Sequence, residues 1–317
     1  MPFGWGRSNE EEAADEVRET ALAVDLERLA AGGIPAAAER RVADIAARGG
    51  SFFTSGLSVG DFALLHRDQV RPIAQVQGSS VYKLGWRSYP WGRSGWGQGS
   101  ITELEWLTTA WNEARRLAIG RLREEARHAG ADAVLDVTFE QRQHDFVSDS
   151  VEVIVRGTAA HVPRRADDGR HGDEPRLSDL SAPDWVLLHQ AGHRAVGVVA
   201  ATSAVYVAAS AQTRRITTGW QRWQGNQEIG DFTQGVYTAR ELALTRAQDQ
   251  ALALGAEGLV GASLDVAADI REYEVNDTKY EDLIVTAHVL GTAIVADSPS
   301  PPPPTAPTLI VRQGGRA

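Results

Sequence analysis

The chain contains no cysteine, and its single methionine is the first residue. Disulfides, cysteine-held zinc or iron–sulfur centres and thiol nucleophiles are excluded, and no thioether ligand is offered within the chain. No run of about 18 apolar residues is present, so no helix is expected to span a membrane. The opening residues MPFGWGRSNEEEAADE are acidic and carry no apolar segment. That is not the pattern of a secretory signal, and the expectation is a cytoplasmic protein. Basic residues are outnumbered, with 32 Lys and Arg against 42 Asp and Glu and a net charge of −10. A phosphate-binding surface needs the opposite balance, so no nucleic-acid partner is expected.

What is there fits two soluble domains. The chain has 317 residues, of which 43% are hydrophobic and 23% charged, ordinary values for globular proteins. The two halves repeat each other in order. LSVGDFALLH from Leu57 is matched by LSAPDWVLLH from Leu180. In each, Ser58 or Ser181 suits an N-cap, and Asp61 or Asp184 follows three residues later as in a capping box. Leu57 with Phe62, and Leu180 with Trp185, have the spacing of a hydrophobic staple. A valine-rich strand follows from Arg71 and again from Arg194, each ending in Val-Tyr (Val81–Tyr82, Val205–Tyr206). An insert rich in Trp and Gly comes next, Leu84 to Gly99 and about Ala208 to Gly230.

The main helix then carries Ala114, Leu117, Ala118, Leu122, Ala126 and Ala129 on one face. Its second copy carries Ala239, Leu242, Ala243, Ala247, Ala251 and Leu254. Gly130 and Gly255 suit left-handed caps after the last turn. Alternation of Leu135, Val137 and Phe139, and of Val260, Ala262 and Leu264, predicts a strand after each helix. A polar connection and a closing strand marked by Gly157–Thr158–Ala159 or Gly291–Thr292–Ala293 complete each copy.

The reading is an α+β fold of two tandem β-α-β-β domains, each an antiparallel sheet covered by one long helix. Residues 1–52 form an N-terminal helical arm, broken at Gly32–Gly33, with Pro35 in the first turn of its second helix. Repeat 1 spans 53–163, a charged linker 164–175 and repeat 2 176–296. Residues 297–317, with SPSPPPPTAP, read as a disordered proline-rich tail.

The elements ARRLAIGRLREEARHAGADAVLDV and VEVIVRGTA, with ARELALTRAQDQALALGAEGLVGA and VTAHVLGTAIV in the second half, resemble the YbjQ-like family of heavy-metal-binding domains. The resemblance covers both repeats but not the arm, linker or tail. It implies a small unit that associates into rings of five and a metal-binding label, with no fixed ligand motif to carry over. For a two-repeat chain the simplest closed solutions are five chains forming two stacked rings, each repeat meeting its own kind, or a two-domain pairing that replaces the ring.

Residue chemistry adds little to that label. Soft metals need thiolate, thioether or imidazole, and of the eight histidines only His66 and His189 occupy equivalent positions. They are the candidate ligands for a divalent metal ion, although each also stands where a histidine suits the negative end of a helix dipole. His288 alternates away from the apolar Val285, Ala287 and Val289, as a wet-face or interface residue does. Asp269, Glu272, Glu274, Asp277, Glu281 and Asp282, and in repeat 1 Asp145, Asp149 and Glu152 with His144, read as solvated hairpins rather than calcium loops. The repeated Arg115/Arg240 and Arg121/Arg246 are read as partners of acidic neighbours. Trp86, Trp91, Trp96, Trp220 and Trp223 suit cross-strand packing or a contact surface for a protein partner, and Pro301 to Pro304 of the tail suit a proline-reading partner or a plain solvated tail. No nucleophile elbow, phosphate loop or dinucleotide fingerprint is found. The leading reading is a non-enzymatic homo-oligomer that holds a metal or small ligand between domains. The alternatives are a dedicated metal binder using His and carboxylate, then an enzyme of unknown class.

Overall fold

A computed structural model describes residues 9–49, 52–85, 99–144, 150–163, 174–217, 225–275 and 278–297. These form an α+β protein in which, among the described residues, seven helices accompany two four-stranded sheets. The arm is α1 (Asn9–Ala30) and α2 (Ala36–Ala47). The short helix α3 (Val59–Arg67) leads into β1 (Arg71–Lys83). Then come β2 (Ser100–Glu103), α4 (Glu105–His128), β3 (Ala133–His144) and β4 (Ser150–His161). The second half runs β5 (Arg176–Leu177), α5 (Ala182–Gln190), β6 (His193–Ala208), α6 (Ala211–Thr217), α7 (Gly230–Ala253), β7 (Gly258–Val275) and β8 (Thr278–Ala296). Sheet 1 has the order β1-β4-β3-β5 and sheet 2 the order β2-β6-β8-β7. The Trp-rich inserts (86–98 and 218–224) lie outside the described residues, as do the linker core with His171 and the proline tail.

Local sequence explains the recurring turns. Ser58 and Ser181 are the N-caps of α3 and α5. Each hydroxyl oxygen accepts from the backbone N–H of Asp61 or Asp184 (3.2 and 3.3 Å) and donates to the same aspartate's carboxylate (2.7 and 2.6 Å). Replacing either serine by alanine is expected to destabilise the protein by about 1 kcal/mol. Urea unfolding of the two single variants checks this, and two unchanged midpoints would mean the caps contribute nothing.

Left-handed residues fall in matched places. Gln69 (φ 62°) and Gly192 (φ 76°) follow the short helices. Gly130 and Gly255, both at φ 71°, follow the long ones. Asp136 (φ 54°) and Gly261 (φ 65°) sit at bulges in β3 and β7. After α4 the Ala131 N–H donates to Ala126 O, and after α7 Ala256 to Ala251 O, both 3.0 Å. These are Schellman closures, which require the left-handed glycine.

The two sheets and two long helices stack as alternating layers. Sheet 1 rests on α4 through Ala74, Val76, Val153, Val155, Ala114, Ala118 and Leu122, all buried. The opposite face of α4 is not left to solvent. Ala204, Tyr206, Ala208 and Ile284 from sheet 2 join the same core. The far face of sheet 2 carries Val199, Val205, Val285, Ala287 and Val289 and packs on Ala239, Ala243 and Ala247 of α7. The order is sheet 1, α4, sheet 2, α7. A third cluster, with Leu65, Leu135, Ala160, Trp185 and Val186, closes the side where α3 meets α5.

The stack corrects several sequence expectations. The two halves share a core: α4 of the first half is covered by the sheet of the second. Residues 176–177, at the start of the second repeat, join the sheet of the first. They pair with β3 of sheet 1, in parallel, Arg176 opposite Ala133 and Leu177 opposite Val134. The sheet is therefore not purely antiparallel. β2 comes from the first half yet pairs antiparallel with β6. The shared Val-Tyr dipeptides are out of register by one: Tyr82 lies opposite Val151, whereas Val205, not Tyr206, lies opposite Val285. A one-residue slip reverses the face, which puts Tyr206 on the side of sheet 2 that meets α4. Leu264 is 41% exposed rather than inward. In the arm, α2 buries Val42 and Ile45, but α1 leaves Val17, Leu22 and Leu26 exposed, so only the second helix is seated by an apolar face.

Candidate functional site

The paired histidines flank one corner of the stack. His66, at the end of α3, lines a cleft with Gln69, Arg71, Asp132, His161, Val162 and Pro163. His189, at the end of α5, lines the adjoining cleft with Trp185 and Gln190, and Gln69, Val162 and Pro163 form the shared wall. Both rings are engaged locally. His66 lies 5.9 Å from the Phe62 ring. His189 lies 4.5 Å from the Trp185 ring, with its Nδ1 2.8 Å from Trp185 O. The His66 cleft also holds a pair the sequence did not suggest, His161 Nδ1 at 3.2 Å from Asp132 Oδ2. Among the described residues no three His, Asp or Glu side chains converge to hold a metal ion. With cysteine absent as well, these residues do not fit a soft-metal centre. A divalent ion ligated jointly by His66 and His189 is also unsupported, since each faces its own cleft.

The buried chemistry lies between the layers. Arg115 on α4 is 2% exposed. Its Nη2 donates to Gln141 Oε1 of β3 (2.6 Å) and lies 3.2 Å from Nδ1 of His288 on β8. The Thr202 hydroxyl of β6 is 2.7 Å from the same Nδ1. Because a guanidinium only donates, Nδ1 is an acceptor and the proton belongs on Nε2. Trp111 meets the imidazole edge-on at 5.1 Å. Burial pulls the Arg115 guanidinium down to about 10, so it stays charged at neutral pH. Burial, and secondarily the Arg115 charge, push His288 down to about 3, so it stays neutral. Arg115 Nε and Nη1 have no hydrogen-bond partner among the described residues.

This corrects the expectation that Arg115 pairs with an acid. Arg121 departs from it too, donating to the carbonyls of Gly33, Ser79 and Leu29. Arg246 does bind an acid, but one on the other half: Glu103 of β2, at 2.7 Å. Glu103, Thr108 and Asn112 were not singled out in the sequence, yet all three bind sheet 2. Thr108 Oγ1 accepts from Ala204 N (3.0 Å), and Asn112 takes both the N–H and the C=O of Thr202 (3.0 Å each). Asp282, read as a solvated hairpin acid, is 2% exposed and accepts from the Tyr206 hydroxyl (2.5 Å) and the Ala209 N–H (2.9 Å). Arg115, Thr108, Asn112 and Arg246 thus place their polar contacts at the junction between the halves.

Two comparisons bear on what such a junction serves. Residues 99–163, from β2 through β4, match the family described as “Putative heavy-metal-binding”. Over 216 residues the chain is 32% identical to a protein of Mycobacterium tuberculosis (strain ATCC 25618 / H37Rv) named encapsulin nanocompartment protein Rv1762c. That alignment takes in 68% of this chain and 78% of the mycobacterial protein. The chain belongs to that protein's family. No solved structure matches it. The family match begins with β2, so the segment it recognises includes the strand that this chain lends to its other sheet. No helix among the described residues is long and apolar enough to cross a membrane.

Proposed function

We propose that this is a non-enzymatic, cytoplasmic protein built from two copies of one α+β unit, whose role is to assemble with further copies of itself. The paired caps, the three pairs of left-handed residues and the matched bulges in β3 and β7 support the two-copy reading. Independent origin would not put Gly130 and Gly255, or Asp136 and Gly261, at the same points of the same elements. The single observation that carries the assembly reading is the stack. One unit's sheet lies on the other unit's helix, a head-to-tail contact that leaves an open sheet face at one end and a helix at the other. Such heterologous contacts continue from copy to copy until a ring closes or a filament grows. The name of the mycobacterial relative, a nanocompartment protein, agrees with an assembling role. A metal-holding role has less support, because the histidines on which it rests lie in separate clefts.

Light scattering on the purified chain at micromolar concentration tests the reading. The expected mass is that of several chains, and it should not fall to one chain on modest dilution. A mass of one chain throughout would overturn the proposal.

A further inference from the structure

We infer that copies join by repeating, between molecules, the junction that joins the two halves within the chain; this rests on the two-copy assembly reading above. Inside the chain the junction has three parts. β2 adds to the edge of β6, with Thr102 opposite Tyr206 and Glu103 opposite Val205. The Leu104 N–H donates to Ala204 O (2.8 Å), and Thr108 and Asn112 cap the same edge further along. β5 adds to the edge of β3. Finally α4 covers the face of sheet 2 that bears Thr202, Ala204 and Tyr206, all buried.

The second half carries the counterpart of the donating strand. Residues 225–228 precede α7 as 100–103 precede α4. Ile229 is the N-cap of α7 with φ −97° and ψ 90°, and Leu104 is that of α4 with φ −87° and ψ 81°. Glu228 therefore corresponds to Glu103. Residues 225–228 are exposed and outside any strand. Thr233 corresponds to Thr108, and Tyr237, at the place of Asn112, is 53% exposed.

The receiving surface is at the other end of the chain. β1 is the terminal strand of sheet 1. Its outward groups are capped as far as Ser79, by Thr54 and Arg41 at Gln75, Glu125 at Gln77 and Arg121 at Ser79. Among the described residues no such cap follows, and Val81 is 63% exposed with Lys83 also exposed. The face that Gln75, Gln77, Ser79 and Val81 present is the counterpart of the face of sheet 2 that α4 covers. Val81 stands where Ala204 does, because it lies opposite Glu152 as Ala204 lies opposite Thr286. Arg121 stands where Arg246 does and would meet Glu228; in the single chain the carbonyls of Leu29 and Gly33 hold it. The opposite edge is open as well. β7 ends sheet 2 with Leu264 41% and Ile270 59% exposed, where β3 has β5 beside it. Residues 53–54, with Phe53 40% exposed, correspond to β5. A strand edge left unpaired in this way is a template for strand addition. One contact would thus answer both edges and the uncovered face, and the occupant is a second copy of this chain. A ring closed this way contains an even number of units, because each chain contributes two.

The internal register fixes the residue pairs: Gln227 falls opposite Lys83, as Thr102 falls opposite Tyr206. Since the chain has no cysteine, each engineered thiol is unique. Chains carrying Gln227→Cys are mixed with chains carrying Lys83→Cys and oxidised, and in parallel treated with a short bis-maleimide in case the pair is the wider, hydrogen-bonded kind. The expected result is a covalent two-chain species in the mixture. It should form at least tenfold less in either variant alone, or when Gln227→Cys is mixed with Glu19→Cys on the exposed α1. A mass of several chains for the unsubstituted protein with no 227–83 product would overturn this junction while leaving assembly intact. A one-chain mass would remove both.

Discussion

Replacing Gly78 by alanine is expected to destabilise the protein by about 3 kcal/mol or more, at the upper end of what overpacking usually costs. Gly78 sits in β1 directly beneath α4. A Cβ there would lie 1.9 Å from Ala118 O and 2.6 Å from Leu122 N. Both are backbone atoms of the helix, so no side chain can rotate aside, and relief requires α4 to lift from the sheet. Lifting α4 also disturbs its other face, where Trp111 and Arg115 meet His288, so the damage should not stay in the first half. Gly120→Ala is the control. It lies on the same helix with nothing within 4 Å of the new Cβ, and the change should be neutral or stabilising by up to about 1 kcal/mol. Urea unfolding followed by circular dichroism measures both. A wild-type midpoint for Gly78→Ala would mean that α4 does not approach β1 as closely as described.

Gly78 also shows where sequence reading stops. In the sequence it is one glycine in an apolar strand, and nothing local says that a helix backbone presses on it. Features governed by neighbours along the chain were legible. Ser58 and Ser181 cap their helices, Gly130 and Gly255 end theirs in the left-handed region, and Pro35 stands at the N-cap of α2, one residue before the first turn where it was expected. Features governed by distant partners were not. β2 and β5 are four and two residues long, too short to leave a period, and each exists because an edge elsewhere accepts it. The repeated Val-Tyr dipeptides suggested an alignment that strand register overrides. Arg115 and Arg240 look alike in the sequence, but one is buried beneath a second sheet and the other is exposed at the end of the stack. The candidate ligands His66 and His189 were correctly seen as a matched pair at helix ends. Their separation into two clefts depends on how α3 and α5 meet, which no spacing encodes.

His288 illustrates the same point and gives the last expected result. Read from the strand pattern alone it could face water or an interface; the structure puts it in the interface, with Nδ1 facing Thr202 and Arg115. In the folded chain it stays neutral down to about pH 3, through burial first and the Arg115 charge second. Once unfolded, it takes up its proton near pH 6.5. Between those limits the unfolded state binds a proton that the folded state refuses, so stability rises with pH across the window. The stability tied to neutral His288 is complete above about pH 6.5. It falls by about 1.4 kcal/mol per pH unit below that, which is about 2 kcal/mol at pH 5, and levels off near pH 3. Substituting His288→Ile, the residue that Ile154 supplies at the matching point of sheet 1, should remove this slope. Other groups titrate as well, including Asp179, whose carboxyl burial holds above the usual range, but they are common to both proteins and cancel in the comparison. The measurement is unfolding free energy at pH 7.5 and pH 5.0 for each. Wild type should lose about 2 kcal/mol more than the variant over that interval. Equal losses would mean that His288 is free to protonate in the folded protein, and that the layer of sheet 2 over α4 does not seal it from water.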